Sequence, residues 1–230
     1  MVHRLNHSIP MAYRRTDKVT RRLASRREAI LAAARAAANE GGMGAVHIAP
    51  VAARAGIAAG TVYRYFPAKS DLVAELAMAV AEQETAAMHR AAEAAPGPLS
   101  ALPAAIATFA ARALRARRLT WAMLTEPVDA ELDAVRLVYR QSIARELEIR
   151  IRAAINDGHL PAQDAALSAA ALVGAMVEGV IGPLASAAED PAKSRLTVQT
   201  LTLLALRALG IVDARARGLV VQTALPLADE

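Results

Sequence analysis

The chain has 230 residues, of which 55% are hydrophobic but only 3% aromatic; alanine supplies much of the apolar content, which favours packed helices. It has no cysteine, so disulfides and thiolate chemistry are excluded and a reducing cytoplasm is expected. The net charge of +5 is unevenly held: residues 1–70 carry twelve Lys and Arg against three acids, a net of +9, and residues 71–230 carry fifteen against nineteen, a net of −4.

A basic head on a mildly acidic body suits a partner that is polyanionic. Residues 1–22 read as a disordered basic arm, because Arg14, Arg15, Lys18, Arg21 and Arg22 crowd together with no apolar period. They lack the continuous apolar run of a secretion signal. A first helix is expected from Ser25 to Glu40, with Ile30, Leu31, Ala34 and Ala38 on one stripe and Gly41-Gly42 ending it. A second is expected from Ile48 to Ala55, a short third from Ala59 to Phe66, and a long fourth from Lys69 to Ala94. Gly56, Pro67 and Pro96-Gly97-Pro98 separate them.

Beyond the Pro-Gly-Pro break, helices are expected over 99–118, 119–126, 128–156, 162–188 and 193–209. Pro183 should kink or fray the one that contains it. Between Ala165 and Ala188 the only charge is Glu178, so the length would span a bilayer. The abundance of Ala, Gly and Ser and the central carboxylate instead favour a buried helix at a protein interface. Residues 211–230 have too little period to place.

The informative stretch is IAPVAARAGIAAGTVYRYFP, Ile48 to Pro67. Two short helices crossing steeply need a small residue where their backbones meet, here Ala52, and a residue free to take positive φ in the turn, here Gly56. Val51, Ile57 and Val62 would lock the pair. Thr61, Tyr63, Arg64 and Tyr65 then cluster on the third helix, with Val62 and Phe66 facing the opposite way. Their hydroxyls and guanidinium donate naturally to phosphates or base edges, and Lys69 stands at the next helix start.

Through VAARAGIAAGTVYRYFPAKSDL, the segment from about Ser25 to Val80 resembles the DNA-binding domain of the TetR/AcrR family of bacterial regulators. The resemblance implies an all-α protein. Residues 23–70 would form the helix-turn-helix domain and residues 71–210 a helical ligand-binding and dimerisation domain. The resemblance implies a homodimer, and the function expected is that of a cytoplasmic repressor of a palindromic operator answering to a small-molecule effector, with activation on the same scaffold, or DNA binding without a ligand, as the alternatives. It also implies phosphate contacts by Thr61, Tyr63, Tyr65 and Lys69, and positions at the base edges for Ala59, Gly60 and Arg64. His47 stands where the family often has a capping threonine, and Ala58 where it often has a capping serine. Both departures remove phosphate contacts, so Arg14, Arg15, Arg21 and Arg22 of the arm are expected to contribute in the neighbouring minor groove.

In the body, Ala169, Ala170, Gly174, Ala175, Gly179 and Gly182 line one helix, and Leu196, Leu203, Leu204, Leu206 and Leu209 the next. Such faces pair across a two-fold axis as a four-helix bundle. A ligand pocket would draw on Phe109, Trp121, Met123, Leu124, Tyr139, Met176 and Val177, with Glu126, Arg140 and Glu178 as polar anchors. Glu178 either holds a cationic ligand or pairs with an arginine, and the pairing is favoured. No enzyme, cofactor or metal site is expected: the five histidines are scattered, and no phosphate loop or nucleophile elbow occurs.

Overall fold

The computed structural model describes residues 11–126, 130–185 and 190–224, with the side chains of 11–18 and 130–131 outside that description. Expectations for residues 1–10, for the turn at Pro127 and for 225–230 lie outside the described residues.

The head consists of α1 (Met11–Gly41), a 3-10 turn (Met43–Ala45), α2 (Ile48–Arg54) and α3 (Ala59–Tyr63). The stripe Ile30, Ala34 and Ala38 is fully buried and packs with Val46, Val51, Ala52, Val62 and Phe66. The first helix begins at Met11, not near Ser25, so the latter part of the expected disordered arm is helical. Its side chains from Val19 to Ala29 are solvent-exposed, which is why no apolar period marks it. Extending a formed helix through Ala, Arg and Leu costs little once the packed part has nucleated it.

The body is built from α4 (Lys69–Glu93), α5 (Pro98–Arg115), α6 (Arg117–Leu124), α7 (Ala130–Asn156), α8 (Ala165–Val180), α9 (Pro191–Ala208) and α10 (Asp213–Gln222). Leu72, Leu76, Val80 and Met88 put the inner stripe of α4 into the core. That helix packs on α5 and α7, α7 packs on α8, α5 on α9, and α9 on α10. Side-chain caps start three of them. The Asp71 carboxylate accepts from the Ala68 N–H at 2.8 Å, Asp164 accepts from the N–H groups of Ala166 and Leu167, and Asp190 from that of Ala192.

Besides α1, three elements differ from the sequence expectation, the first being α3, which ends at Tyr63 and not at Phe66. The helix expected over 162–188 ends at Val180: Gly182 and Pro183 stop it, and do not merely kink it. The unplaced tail contains α10, which buries Ala216 and Val220, too sparse a stripe to read from sequence. Among the described residues no helix is long and apolar enough to cross a membrane.

Candidate nucleic-acid interface

The turn between α2 and α3 closes as a Schellman motif. Gly56 takes φ +67°, the Gly56 N–H donates to the Ala53 carbonyl at 3.2 Å, and the Ile57 N–H donates to Ala52 at 3.0 Å. Ala52 is buried at the crossing, so the two short helices approach closely. Ala58, at the start of α3, has an extended backbone and no side-chain acceptor, so the first N–H groups of α3 lack a cap.

The resulting α3 is two-faced. Val62 and Phe66 are buried, Tyr63 is 52% exposed, and Gly60, Arg64 and Lys69 are exposed. Ala59, Thr61 and Tyr65 lie half-buried at the boundary. Thus all seven candidate residues from the helix-turn-helix are brought to one region, with Tyr63, Arg64 and Lys69 open to solvent. The Arg27 guanidinium lies 5.6 Å from the centre of the Phe66 ring and pairs with Glu75, tying α1 to the end of α3 and to α4. Sequence reading missed this residue because its partners lie on other elements.

Arg21 and Arg22 are exposed on α1. Arg27 meets Glu75 and Arg35 meets Gln83, both at an offset of 48 residues, so α1 and α4 run in the same direction where they touch. Continued along α1, that offset projects Arg21 and Arg22 towards the level of Lys69 and Ser70. Residues 11–20 then overhang that level by roughly 15 Å at 1.5 Å per residue.

Ionic contacts join head to body. Arg112 of α5 donates through Nη2 to Glu84 of α4 at 2.9 Å, and Arg35 of α1 donates to the same carboxylate at 3.1 Å. Glu84 is 15% exposed. On the other side, the Glu126 carboxylate accepts from Arg118 and from the Met43 N–H, and Arg118 also donates to the Gly41 carbonyl. Glu126, expected to anchor a ligand, is therefore engaged at the joint of the head. At the far end of α2, Arg54 makes two bonds of 2.7 and 2.8 Å to Glu40, holding that carboxyl below the ordinary glutamate range.

The other ligand candidates are distributed through the body. Phe109, Met123, Tyr139 and Met176 are core residues, and Trp121 is half-buried. Burial pushes the Tyr139 phenol well up from its ordinary value. Glu178 meets no arginine within ion-pair distance among the described residues. It folds over Gly182 and accepts from the Leu184 N–H at 3.3 Å, which corrects the favoured pairing. None of the ten candidates lines the cavity of about 620 Å³ between α4 and α7, whose walls include Met78, Ala81, Ala86, Val135 and Val138. Exposed small residues remain on α8 (Ala170, Gly174, Ala175, Gly179), and on α9 Leu196 and Leu204 are exposed; Leu206 and Leu209, expected on that face, are instead buried within the chain.

A three-helix head with its second and third helices in helix-turn-helix geometry, carried on a larger helical body, is the architecture of a DNA-binding regulator. Residues 30–76 match the family model of the bacterial regulatory proteins of the tetR family. Solved structures share its fold. RolR in complex with resorcinol is 19% identical, with 90% of this chain and 98% of that one covered at a TM-score of 0.60. The transcriptional regulator FadR from Bacillus subtilis in complex with stearoyl-CoA is 20% identical, covering 76% and 96% at 0.64. A transcriptional regulator from Rhodococcus sp. Rha1 is 22% identical, covering 81% and 98% at 0.62. No curated protein sequence matches the chain.

Proposed function

We propose that the protein is a homodimeric repressor that binds a palindromic operator and releases it when a small molecule enters the body. The carrying observation is the two-faced α3: Val62 and Phe66 fix it to the core while Tyr63, Arg64 and Lys69 stand in solvent. On this reading Thr61, Tyr63, Tyr65 and Lys69 hold phosphates, and Ala59, Gly60 and Arg64 meet base edges. Arg21 and Arg22, projected towards the level of Lys69, contact the flanking duplex, and the overhanging turns of α1 extend that contact.

One five-residue recognition helix binds weakly, which favours a dimer with two heads one turn of DNA apart. The exposed small face of α8 and the leucines of α9 supply the surface for it. RolR and FadR are named with resorcinol and stearoyl-CoA, which supports a small-molecule effector without identifying one. The proposed lever is α4, which begins at the recognition surface, lines the cavity and carries Glu84.

The test is selection of duplexes from a random pool, followed by gel shift at several salt concentrations. Tyr63→Ala should weaken selected and random duplexes alike. Arg64→Ala should instead relax the preference at one base position, costing about 1–3 kcal/mol there. Uniform losses with Arg64→Ala overturn its role, and failure to retain any duplex at low salt overturns the whole reading.

A further inference from the structure

We propose that the groove between α4 and α7 takes a small apolar cation: an amphiphile whose tail fills the groove and whose single ammonium-type group rests beside Glu82. This deepens the ligand-responsive reading and rests on it.

The volume of about 620 Å³ suits a small molecule. Two polar wall residues have their hydroxyl protons engaged, because Thr85 donates to the Ala81 carbonyl at 2.8 Å and Ser142 to that of Val138 at 2.9 Å. Met78, Ala81, Val135 and Val138 complete an apolar channel. Its charged lining is Glu82, Glu146 and the titratable His89, with no lysine or arginine among the lining residues.

The two carboxylates differ. Glu146 is buried and already receives Arg150 at 2.8 Å through Nε, with His89 Nδ1 3.2 Å away, so it is neutralised within the protein. Glu82 is exposed and has no ion-pair partner among the described residues. It lies one and two turns from Thr85, Ala86 and His89 on one stripe of α4, so the apolar wall runs roughly 10 Å from it towards His89. An anionic ligand would meet an unpaired carboxylate with no lysine or arginine among the lining residues to answer it. A cation placed there keeps its charge at the solvent edge while its tail leaves water. Glu84, which binds Arg35 of α1, lies between the lining positions Glu82 and Thr85, so an occupant pressing on α4 acts on the segment that holds the head.

The experiment uses the full chain and three ten-carbon probes: decyltrimethylammonium, decanoate and 1-decanol, below their micelle or solubility limits. Binding is followed by calorimetry and thermal unfolding. The ammonium should bind saturably and raise Tm, at least tenfold more tightly than decanoate. Glu82→Gln should weaken it about fivefold, the worth of an exposed ion pair. Val138→Trp should block all three probes by filling the groove, with circular dichroism checking that both variants are folded. Equal or tighter decanoate binding, no saturable ammonium binding, or an unchanged affinity in Glu82→Gln overturns the proposal. Duplex retention is measured in parallel without amphiphile. Retained DNA with no ammonium binding rejects the groove and leaves the regulator standing, whereas the converse rejects the regulator.

Discussion

Two glycines with positive φ separate backbone strain from contact. Gly56 has open space around a Cβ, so Gly56→Ala should cost only the left-handed backbone penalty, about 1–2 kcal/mol. At Gly42, φ is +78° and a Cβ would come within 2.4 Å of Arg118 Nη2 and 2.8 Å of Glu126 Oε2. These flexible ends can move, but moving them breaks the bonds to the Gly41 carbonyl and the Met43 N–H. Gly42→Ala should therefore cost more than Gly56→Ala in urea unfolding, and equal losses would show that the Glu126 contact carries no weight. Gly56 was legible in the sequence because turn chemistry is local. The task of Glu126 was not, since its partner amide lies 83 residues away.

Among elements, the pairing of α1 with α2 through Glu40 and Arg54 has a pH signature. The hydrogen bond from Arg54 is the main cause of the lowered Glu40 pKa. A depressed carboxylate pKa contributes stability that is present above the ordinary value of 4.5 and lost as pH falls through the folded value. The Tm gap between the parent and Arg54→Gln should accordingly be widest near neutrality and narrow as the pH drops below 4.5; a constant gap removes this pair from any account of acid unfolding. Both groups are exposed, so salt should shrink the gap as well. Helix existence was readable wherever apolar residues recur, as in α4. It was not readable for the solvated turns at the start of α1, nor for α10 with its two buried residues.

Across the whole molecule, the head is held to the body by a carboxylate shared between two arginines. Glu84, Arg35 and Arg112 come from three helices and are mostly buried. Glu84→Gln should destabilise the chain by about 2 kcal/mol, between the values for exposed and buried pairs. A double-mutant cycle of Arg35→Gln with Glu84→Gln, read by urea unfolding, should give a coupling of about 1 kcal/mol. Strict additivity would mean that the Arg35–Glu84 contact itself does nothing to hold the head.

The sequence by itself determined the helical class, the helix-turn-helix and the two faces of α3. Each of these depends on residues within about twenty positions: small at the crossing, glycine in the turn, donors opposite Val62 and Phe66. Only the tertiary structure decided which body residues are core and which line a cavity. An apolar side chain on a helix looks the same from sequence whether its neighbour is another helix or a void. The ten ligand candidates scattered accordingly, and the α4–α7 groove emerged from residues whose meeting depends on how two helices, some fifty residues apart, pack side by side.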